Sequence, residues 1–131
     1  MSAFPVEVTL APVGQIDGFV LVCLVDASTG MILDSLQARD DLPLPVAAAG
    51  AADVVNVLSM MTSELATDGD VEDVIVTLNS QYHLIRLFRP APGRRLLLLV
   101  TLERSQANLA MAHRETRDFL NRLRKEQDWM T

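Results

Sequence analysis

The residues of this chain that could carry out chemistry are two histidines, His83 and His113. Either ring could act as a general base if a nucleophile lay beside it. The sequence contains no Gly-x-Ser-x-Gly motif to supply one, so a hydrolase built on His83 or His113 is the least supported of three candidate functions. We expect His83 to touch solvent just after a tight turn, and His113 to lie on the polar flank of a helix.

An acidic cluster resembles a cation-binding loop only superficially. It comprises Asp68, Asp70, Glu72 and Asp73, but it lacks the twelve-residue spacing and the distal bidentate Glu of a calcium loop. Solvated turn residues, and charges that blunt an exposed strand edge, explain it better. The sequence also lacks a glycine-rich phosphate loop and any Cys or His pair with metal-ligand spacing. It therefore predicts no catalytic residues, no metal and no cofactor.

The composition is that of a folded domain, since half of the 131 residues are hydrophobic. The apolar runs at 19–25 and 96–102 are much shorter than the roughly 20 residues of a bilayer span. The first residues lack the basic and apolar regions of a signal peptide. We therefore expect a cytoplasmic protein with no membrane insertion, in which Cys23 is a buried, unreactive thiol.

The net charge of −6 is unevenly distributed. Residues 1–85 contain one basic residue and twelve acidic ones, whereas residues 86–131 contain ten basic and five acidic ones. An acidic chain without clustered bases is not expected to bind nucleic acid. The asymmetry either steers two copies, or a copy and a partner, into a preferred orientation, or it averages out because the two halves interleave in the fold.

Hydrophobic periodicity predicts five strands and two helices. The strands lie at 18–26, 31–36, 71–79, 82–89 and 96–103, and the helices at 46–65 and 106–125. Pro45 should lie in the first turn of the first helix, Gly69 should follow its end, and Ser105 should cap the second helix. A short helix within 1–17, lined by Val8, Leu10, Val13 and Ile16, is opposed by Pro12.

This order predicts an α/β chain of the α+β sandwich type, with a five-stranded antiparallel sheet and helices on both faces. We expect one domain over residues 1–131, with a variable N-terminal segment at 1–17 and a tail at 126–131. Trp129 in that tail could anchor a partner.

The helix at 46–65 is apolar on two sides. One face carries Gly50, Val54, Val57, Leu58, Met61 and Leu65, and the flank beside it carries Ala47, Ala48, Ala51 and Val55. A helix of this kind is usually covered on both sides. We therefore expect one side to pack on the sheet and the other on a second subunit.

The third strand is also apolar on both faces, with Val74, Val76 and Leu78 on one and Ile75 on the other. An apolar edge strand is a template for pairing unless it is protected, and pairing across a two-fold axis would satisfy its backbone. The predicted dimer interface therefore contains Val71, Val74, Ile75, Val76, Leu78, Val54, Val55, Leu58 and Met61.

Four stretches together resemble the bacterial branch of the Roadblock family, the dynein light-chain Roadblock type. They are IDG at 16–18, VDASTGM at 25–31, VEDVIVTLNSQYHLIR at 71–86 and LERSQANLAMAHR at 102–114. The resemblance covers about residues 8–124 and implies a profilin-like fold. It also implies a homodimer in which the third strands pair into one ten-stranded sheet, with the first long helices side by side. The family usually opens with a full helix, from which the proline-containing start departs.

The family resemblance further implies a non-catalytic adaptor that binds a small Ras-like GTPase, can modulate its GTP hydrolysis, and associates with a sensor kinase complex. No arginine finger can be assigned in this sequence. The alternative is a small-ligand sensor domain, which would need a cavity with convergent polar groups.

Overall fold

The computed structural model describes residues 10–65 and 69–128, the side chains of 126–128 excepted. It contains two helices and five strands, in the predicted order, after one 3₁₀ turn at Val13–Gln15. Their bounds are β1 Phe19–Asp26, β2 Ile32–Gln37, α1 Leu44–Glu64, β3 Asp73–Thr77, β4 Gln81–Ala91, β5 Arg94–Glu103 and α2 Leu109–Asp128.

The strands form one antiparallel sheet in the order β2-β1-β5-β4-β3. β5 lies at its centre because Leu96–Val100, its run of leucines and valine, is buried on both faces of the sheet. β2 and β3 are its two edges. The predicted five-stranded antiparallel α+β fold is confirmed.

Alternate residues of each strand point to opposite faces, and each face builds its own core. One face, called the α2 face, packs Leu24, Leu98 and Val100 against α2 and the 3₁₀ turn. The other, called the α1 face, packs Cys23, Leu97, Leu99 and their neighbours against α1. α1 meets the sheet through small side chains, namely Ala48, Ala51, Ala52 and Val55. A helix that presents mainly alanines can approach the sheet closely.

The N-terminal end of α2 differs from the prediction. The Met111 N–H donates to Asn108 Oδ1 at 3.0 Å, so Asn108 and not Ser105 is the N-cap. Ser105 lies in an exposed turn, in which Gln106 N–H donates to the Glu103 carbonyl at 3.1 Å. The chain completes this turn after β5 before the helix can begin, which moves the cap three residues along.

Other boundaries shift by smaller amounts. α1 begins one residue before Pro45, and β3 is shorter than the predicted 71–79. Of the proposed N-terminal helix, the described part is the single turn Val13–Gln15, and Val8 lies outside the described residues. Trp129 also lies outside them.

The expected burial of Cys23 is confirmed. Its side chain is fully buried, and burial raises the pKa of its thiol to about 11, so the thiol is protonated at neutral pH.

By length and composition alone, α1 could cross a membrane. The core helix of a soluble protein can meet the same criterion, and α1 packs one side on the sheet.

The cap assignment leads to a stability prediction. Asn108→Ala should lower the free energy of unfolding by about 1 kcal/mol, because the Met111 N–H loses its acceptor. Ser105→Ala is the matched control and should change it by less than about 0.5 kcal/mol. Urea denaturation of both variants measures the difference, and an equal or larger loss in Ser105→Ala would contradict the assignment.

Candidate protein-interaction surface

β3 is an apolar strand with one side of its backbone unpaired among the described residues. It pairs with β4 alone, with Val76 opposite His83 and Ile75 opposite Leu84. Val76 points to the α1 face, whereas Ile75 points to the α2 face and is 43% exposed. The strand therefore offers both free backbone groups and apolar side chains at one edge of the sheet.

α1 carries a second apolar surface on the side away from the sheet. Val57, Met60 and Leu65 are 63%, 66% and 68% exposed, although each is a large hydrophobic residue. Val46, Val54 and Met61 are also exposed. Burying large apolar side chains is favourable by roughly 1.5–3 kcal/mol each. The predicted two-sided apolar character of this helix is thus confirmed, and its outer side is open in the single chain.

The direction of α1 brings its end close to β3. Ala49 and Ala52 lie over the Gly30 turn between β1 and β2. Further along, Asn56 Nδ2 donates to the Ala27 carbonyl at 2.9 Å, just beyond β1. The helix therefore crosses the upper end of the sheet, where β1 ends and β3 begins, and its last turns lead toward the β3 edge.

Asp70 fixes the junction between α1 and β3. Its Oδ1 accepts hydrogen bonds from Ser59 Oγ at 3.0 Å and from the Val71 N–H at 2.8 Å, and its Oδ2 is ion-paired with Arg89. Arg95 lies 3.7 Å from the same oxygen and donates to Ser59 Oγ at 3.0 Å. Burial alone would raise the pKa of Asp70, but these hydrogen bonds and the Arg95 charge outweigh it and hold the pKa below its ordinary value.

Asp73 joins α2 to the sheet at the same upper end. Its Oδ2 accepts from Arg86 at 3.2 Å and contacts His113 Nε2. Arg86 also lies 3.2 Å from that nitrogen. The Arg86 guanidinium can only donate to this nitrogen, whereas the Asp73 carboxylate can only accept from it. We therefore assign a proton to Nε2 of His113, which donates to Asp73. Arg86 then lies close to His113 because both converge on the same oxygen.

The acidic cluster is therefore not the set of solvated turn residues predicted from the sequence. The side chains of Asp70 and Asp73 are only 25% and 32% exposed, and arginines from β4 pair with both. Glu72 is exposed as expected, and Asp68 lies outside the described residues. Local sequence patterns could not predict these ion pairs, because Arg86 is 13 residues from Asp73 and Arg89 is 19 residues from Asp70.

These ion pairs also bear on the charge asymmetry of the sequence. They join acidic residues of the first 85 to basic residues of the last 46, which favours the alternative in which the two halves interleave. On α2, Arg114, Arg124 and Lys125 nevertheless remain exposed.

The surroundings of His83 do not favour a general base. His83 is half-buried, with Nδ1 at 2.8 Å from Thr101 Oγ1, and burial lowers the pKa of its ring. Thr101 itself is buried, so a substrate cannot reach that hydroxyl. Within 10–65 and 69–128, no group of three or more His, Cys, Asp or Glu residues could hold a metal ion.

A surface depression of about 530 Å³ beside the start of β3 does not resemble an enclosed ligand pocket. It is lined by Phe88, Glu72 and Arg124, together with the ion-paired Asp70 and Arg89. It is open to solvent, and two of its charged groups satisfy each other. This arrangement gives the ligand-sensor alternative no specific support.

The predicted interface residues fall into two groups, one along β3 and one on the helix α1, whose last turns lead toward the start of β3. Val74, Ile75 and Val76 lie on β3, flanked by Val71 and Leu78, while Val54, Leu58 and Met61 share one flank of α1. Val55 was assigned wrongly, because its side chain is fully buried against its own sheet. Sequence reasoning also omitted Met60, which continues the outer apolar surface of α1.

Comparison with known proteins identifies the fold. No sequence profile of a known family matches the chain, and no curated protein matches it. Among solved structures, it is similar to a Roadblock/LC7 domain from Streptomyces avermitilis, with 19% identity, a TM-score of 0.73 and coverage of 92% of this chain and 93% of that one.

Two further solved structures agree with this result. The gliding protein MglB from Thermus thermophilus shows 14% identity and a TM-score of 0.73, with coverage of 96% of this chain and 98% of that one. An MglB with a tetrameric arrangement shows 14% identity and a TM-score of 0.74, with coverage of 97% and 98%. The chain therefore has the Roadblock/LC7 fold, as the sequence resemblance implied.

The Asp70 junction gives a pH-dependent prediction. Because the folded-state pKa of Asp70 is lowered from 3.8, the ionised carboxylate stabilises the fold above about pH 4, and this contribution disappears as pH falls through the folded-state pKa. Asp70→Asn should cost about 1–3 kcal/mol at pH 7, because the charged acceptor of several hydrogen bonds is lost. In urea denaturation, the gap between wild type and variant should shrink toward pH 3.

The control for this measurement is Asp40→Asn, since Asp40 lies exposed in the segment between β2 and α1. It should leave stability at pH 7 unchanged to within about 0.5 kcal/mol. A gap between wild type and Asp70→Asn that stays constant from pH 7 to pH 3 would contradict the role given to the Asp70 carboxylate.

Proposed function

We propose that this chain is a non-catalytic, homodimeric adaptor that binds a small Ras-like GTPase in the cytoplasm and acts within a signalling complex containing a sensor kinase. The observation that carries the proposal is the convergence of two open apolar surfaces, the edge of β3 and the outer side of α1. A chain with this pattern is built to be covered by other protein.

The dimer forms by antiparallel pairing of β3 with β3 of a second copy. Such pairing satisfies the backbone groups that β4 leaves free and makes one ten-stranded sheet. A two-fold axis perpendicular to the sheet places both α1 helices on the same side. Their flanks, with Val54, Leu58 and Met61, then pack toward each other over the joined edge strands.

The two-fold pairing also explains the position of α1. Because the paired β3 strands run in opposite directions, the upper end of one sheet lies beside the lower end of the other. The lower end is where β3 ends and β4 begins. Within one chain, α1 crosses the upper end, whereas no described helix crosses the lower corner beside β3. The end of one α1 therefore lies next to the corner that the other sheet leaves open.

The GTPase binds on the paired helices in this proposal. Once the flanks of α1 are used in the dimer, Val46, Val57 and Met60 still face outward. The only charged residues of α1 are Asp53 and Glu64, both exposed and both acidic. This apolar surface with acidic residues suits a partner with an apolar patch and basic residues beside it.

The choice of a GTPase as partner rests on the Roadblock resemblance of the sequence and is supported by the shared fold. A scaffold that reorganises a bound GTPase needs no residue inserted into its active site, and no arginine of this chain is assigned as a finger. Modulation of GTP hydrolysis is therefore proposed to act through the conformation of the bound GTPase.

The dimer is tested by placing a charge on β3. Val76→Asp should raise the dissociation constant of the dimer at least about 100-fold, because an unpaired carboxylate would be buried at the strand pair. Met31→Asp is the matched control, since Met31 is an exposed methionine beside the other edge strand. Sedimentation velocity should show a monomer for the first variant and a dimer for the second; a full-strength Val76→Asp dimer would contradict pairing through β3.

The GTPase surface is tested separately with dimeric variants. Val57→Asp should abolish nucleotide-dependent capture of a small Ras-like GTPase that binds the wild-type chain while leaving the dimer intact, because Val57 faces away from the flank used in pairing. Met111→Asp on α2 is the control, since Met111 is an exposed apolar residue on the opposite side of the sheet. Equal capture by Val57→Asp and wild type would remove the outer side of α1 as the binding surface.

A further inference from the structure

The lower corner of the α1 face is a half-buried patch with an unusual member. Val76 on β3, His83 on β4 and Thr101 on β5 lie side by side there, in register across the sheet. Val76 and His83 are both partly exposed in the single chain, whereas Thr101 is buried. A histidine thus lies one strand in from the edge proposed to pair.

The end of α1 in a second copy reaches this corner, on the basis of the proposed dimer. Ser59 is tied to Arg95 at the start of β5 and to Asp70 ahead of β3, and residues 60–65 continue beyond that point. At a rise of about 1.5 Å per residue, these six residues extend roughly 9 Å, or about two strand spacings. They therefore end over the joined β3 strands, which places their side chains beside Val76 at the lower end of the other sheet, one strand from His83.

We infer that the dimer closes over His83, and that protonation of its ring separates the two copies. The flank of α1 that arrives there carries Met61, and Leu65 follows directly after the helix; both side chains are apolar and exposed in the single chain. The association of this adaptor is therefore controlled by pH through one side chain at the interface.

The neutral ring fits the covered corner better than the charged one. Thr101 Oγ1, at 2.8 Å from Nδ1, can accept a hydrogen bond from an N–H on that nitrogen, and the Nε2 of this neutral tautomer then carries no N–H that needs an acceptor. The charged ring carries an N–H on both nitrogens, and the second one needs water or another acceptor. Covering the corner with apolar side chains removes that water. Protonation of His83 therefore destabilises the dimer more than it destabilises the separate chains.

The charged groups around the corner do not stabilise the protonated ring. On the α1 face, Glu103 lies two residues beyond Thr101 at the lower rim, where it accepts from Gln81 at 3.4 Å. Arg104, the first residue after β5, donates to the Leu78 carbonyl at 3.1 Å. From the second copy, the only carboxylate on the last turns of α1 is Glu64, which is exposed on the outer side of the helix.

The sign of the effect follows from burial. Burial already lowers the pKa of His83 in the single chain, and covering the corner lowers it further, so the dimer binds fewer protons than two separate chains. The dimer is therefore strongest when the ring is neutral and weakens as pH falls. The dimer contains two copies of His83. Between the pKa of His83 in the dimer and its pKa in the single chain, each copy changes the dissociation constant by up to about tenfold per pH unit.

The overall charge predicts the opposite trend, which makes the effect diagnostic. The chain has a net charge of −6 and an isoelectric point near 4.7. Lowering the pH from 7.5 toward 5.5 reduces the net charge and the repulsion between copies, and by itself would strengthen association. A dimer that weakens in this interval therefore reports a specific group.

The test is sedimentation equilibrium of the full chain at pH 7.5, 6.5 and 5.5. The wild-type dissociation constant should rise toward pH 5.5, most steeply at the lowest pH, whereas His83→Gln and His83→Leu should each give a dimer without that rise. His113→Gln is the matched control, because the chain has only two histidines and His113 lies on the other face of the sheet. It should retain the wild-type pH response.

The possible outcomes separate this inference from the proposed function. A wild-type dimer whose dissociation constant is flat or falls toward pH 5.5 overturns the inference but leaves the dimer standing. A pH response that persists in both His83 variants, or disappears in His113→Gln, also overturns it. A chain that is monomeric at every pH would instead refute the proposed dimer itself.

Discussion

The edge of β3, which is unpaired among residues 10–65 and 69–128, is the constraint to which the rest of the structure responds. A strand with apolar side chains on both faces and free backbone groups on one side cannot be left in water without cost or risk of aggregation. Edge strands are commonly protected by inward-pointing charges or by proline, and β3 contains neither beyond its first residue, Asp73. Even that carboxylate is occupied, since it joins Arg86 and His113 to the strand.

Two polar junctions hold this short strand at its upper end, one on each side of the sheet. Asp70 connects the segment before β3 to α1 and to the arginines of β4 and β5. Asp73 connects its first residue to α2. The edge is thus positioned by both helices, and the outer side of α1 is fixed relative to it. This coupling makes the two open apolar surfaces a single candidate region for the proposed dimer and partner contacts.

The sequence was sufficient to predict the order of elements, the antiparallel sheet and the two-sided helix, because these depend on periodicity within one segment. It failed where the outcome depended on neighbouring positions or distant partners. Val54 and Val55 are adjacent, yet a turn of about 100° per residue places one outside and the other in the core. Asn108 replaced Ser105 as the cap because β5 ends in an extra turn. The pairs of Asp70 and Asp73 join segments that only the folded sheet brings together.

Pairing of β3 across a two-fold axis is the central claim, and amide hydrogen exchange followed by NMR tests it most directly. The β3 amides that face away from β4 should be protected at protein concentrations above the dissociation constant of the dimer. They should exchange as rapidly as the outward amides of β2, the other edge strand, when the sample is diluted below it. Rapid exchange of these β3 amides in a sample shown to be dimeric would contradict the account, because the two copies would then associate through some other surface.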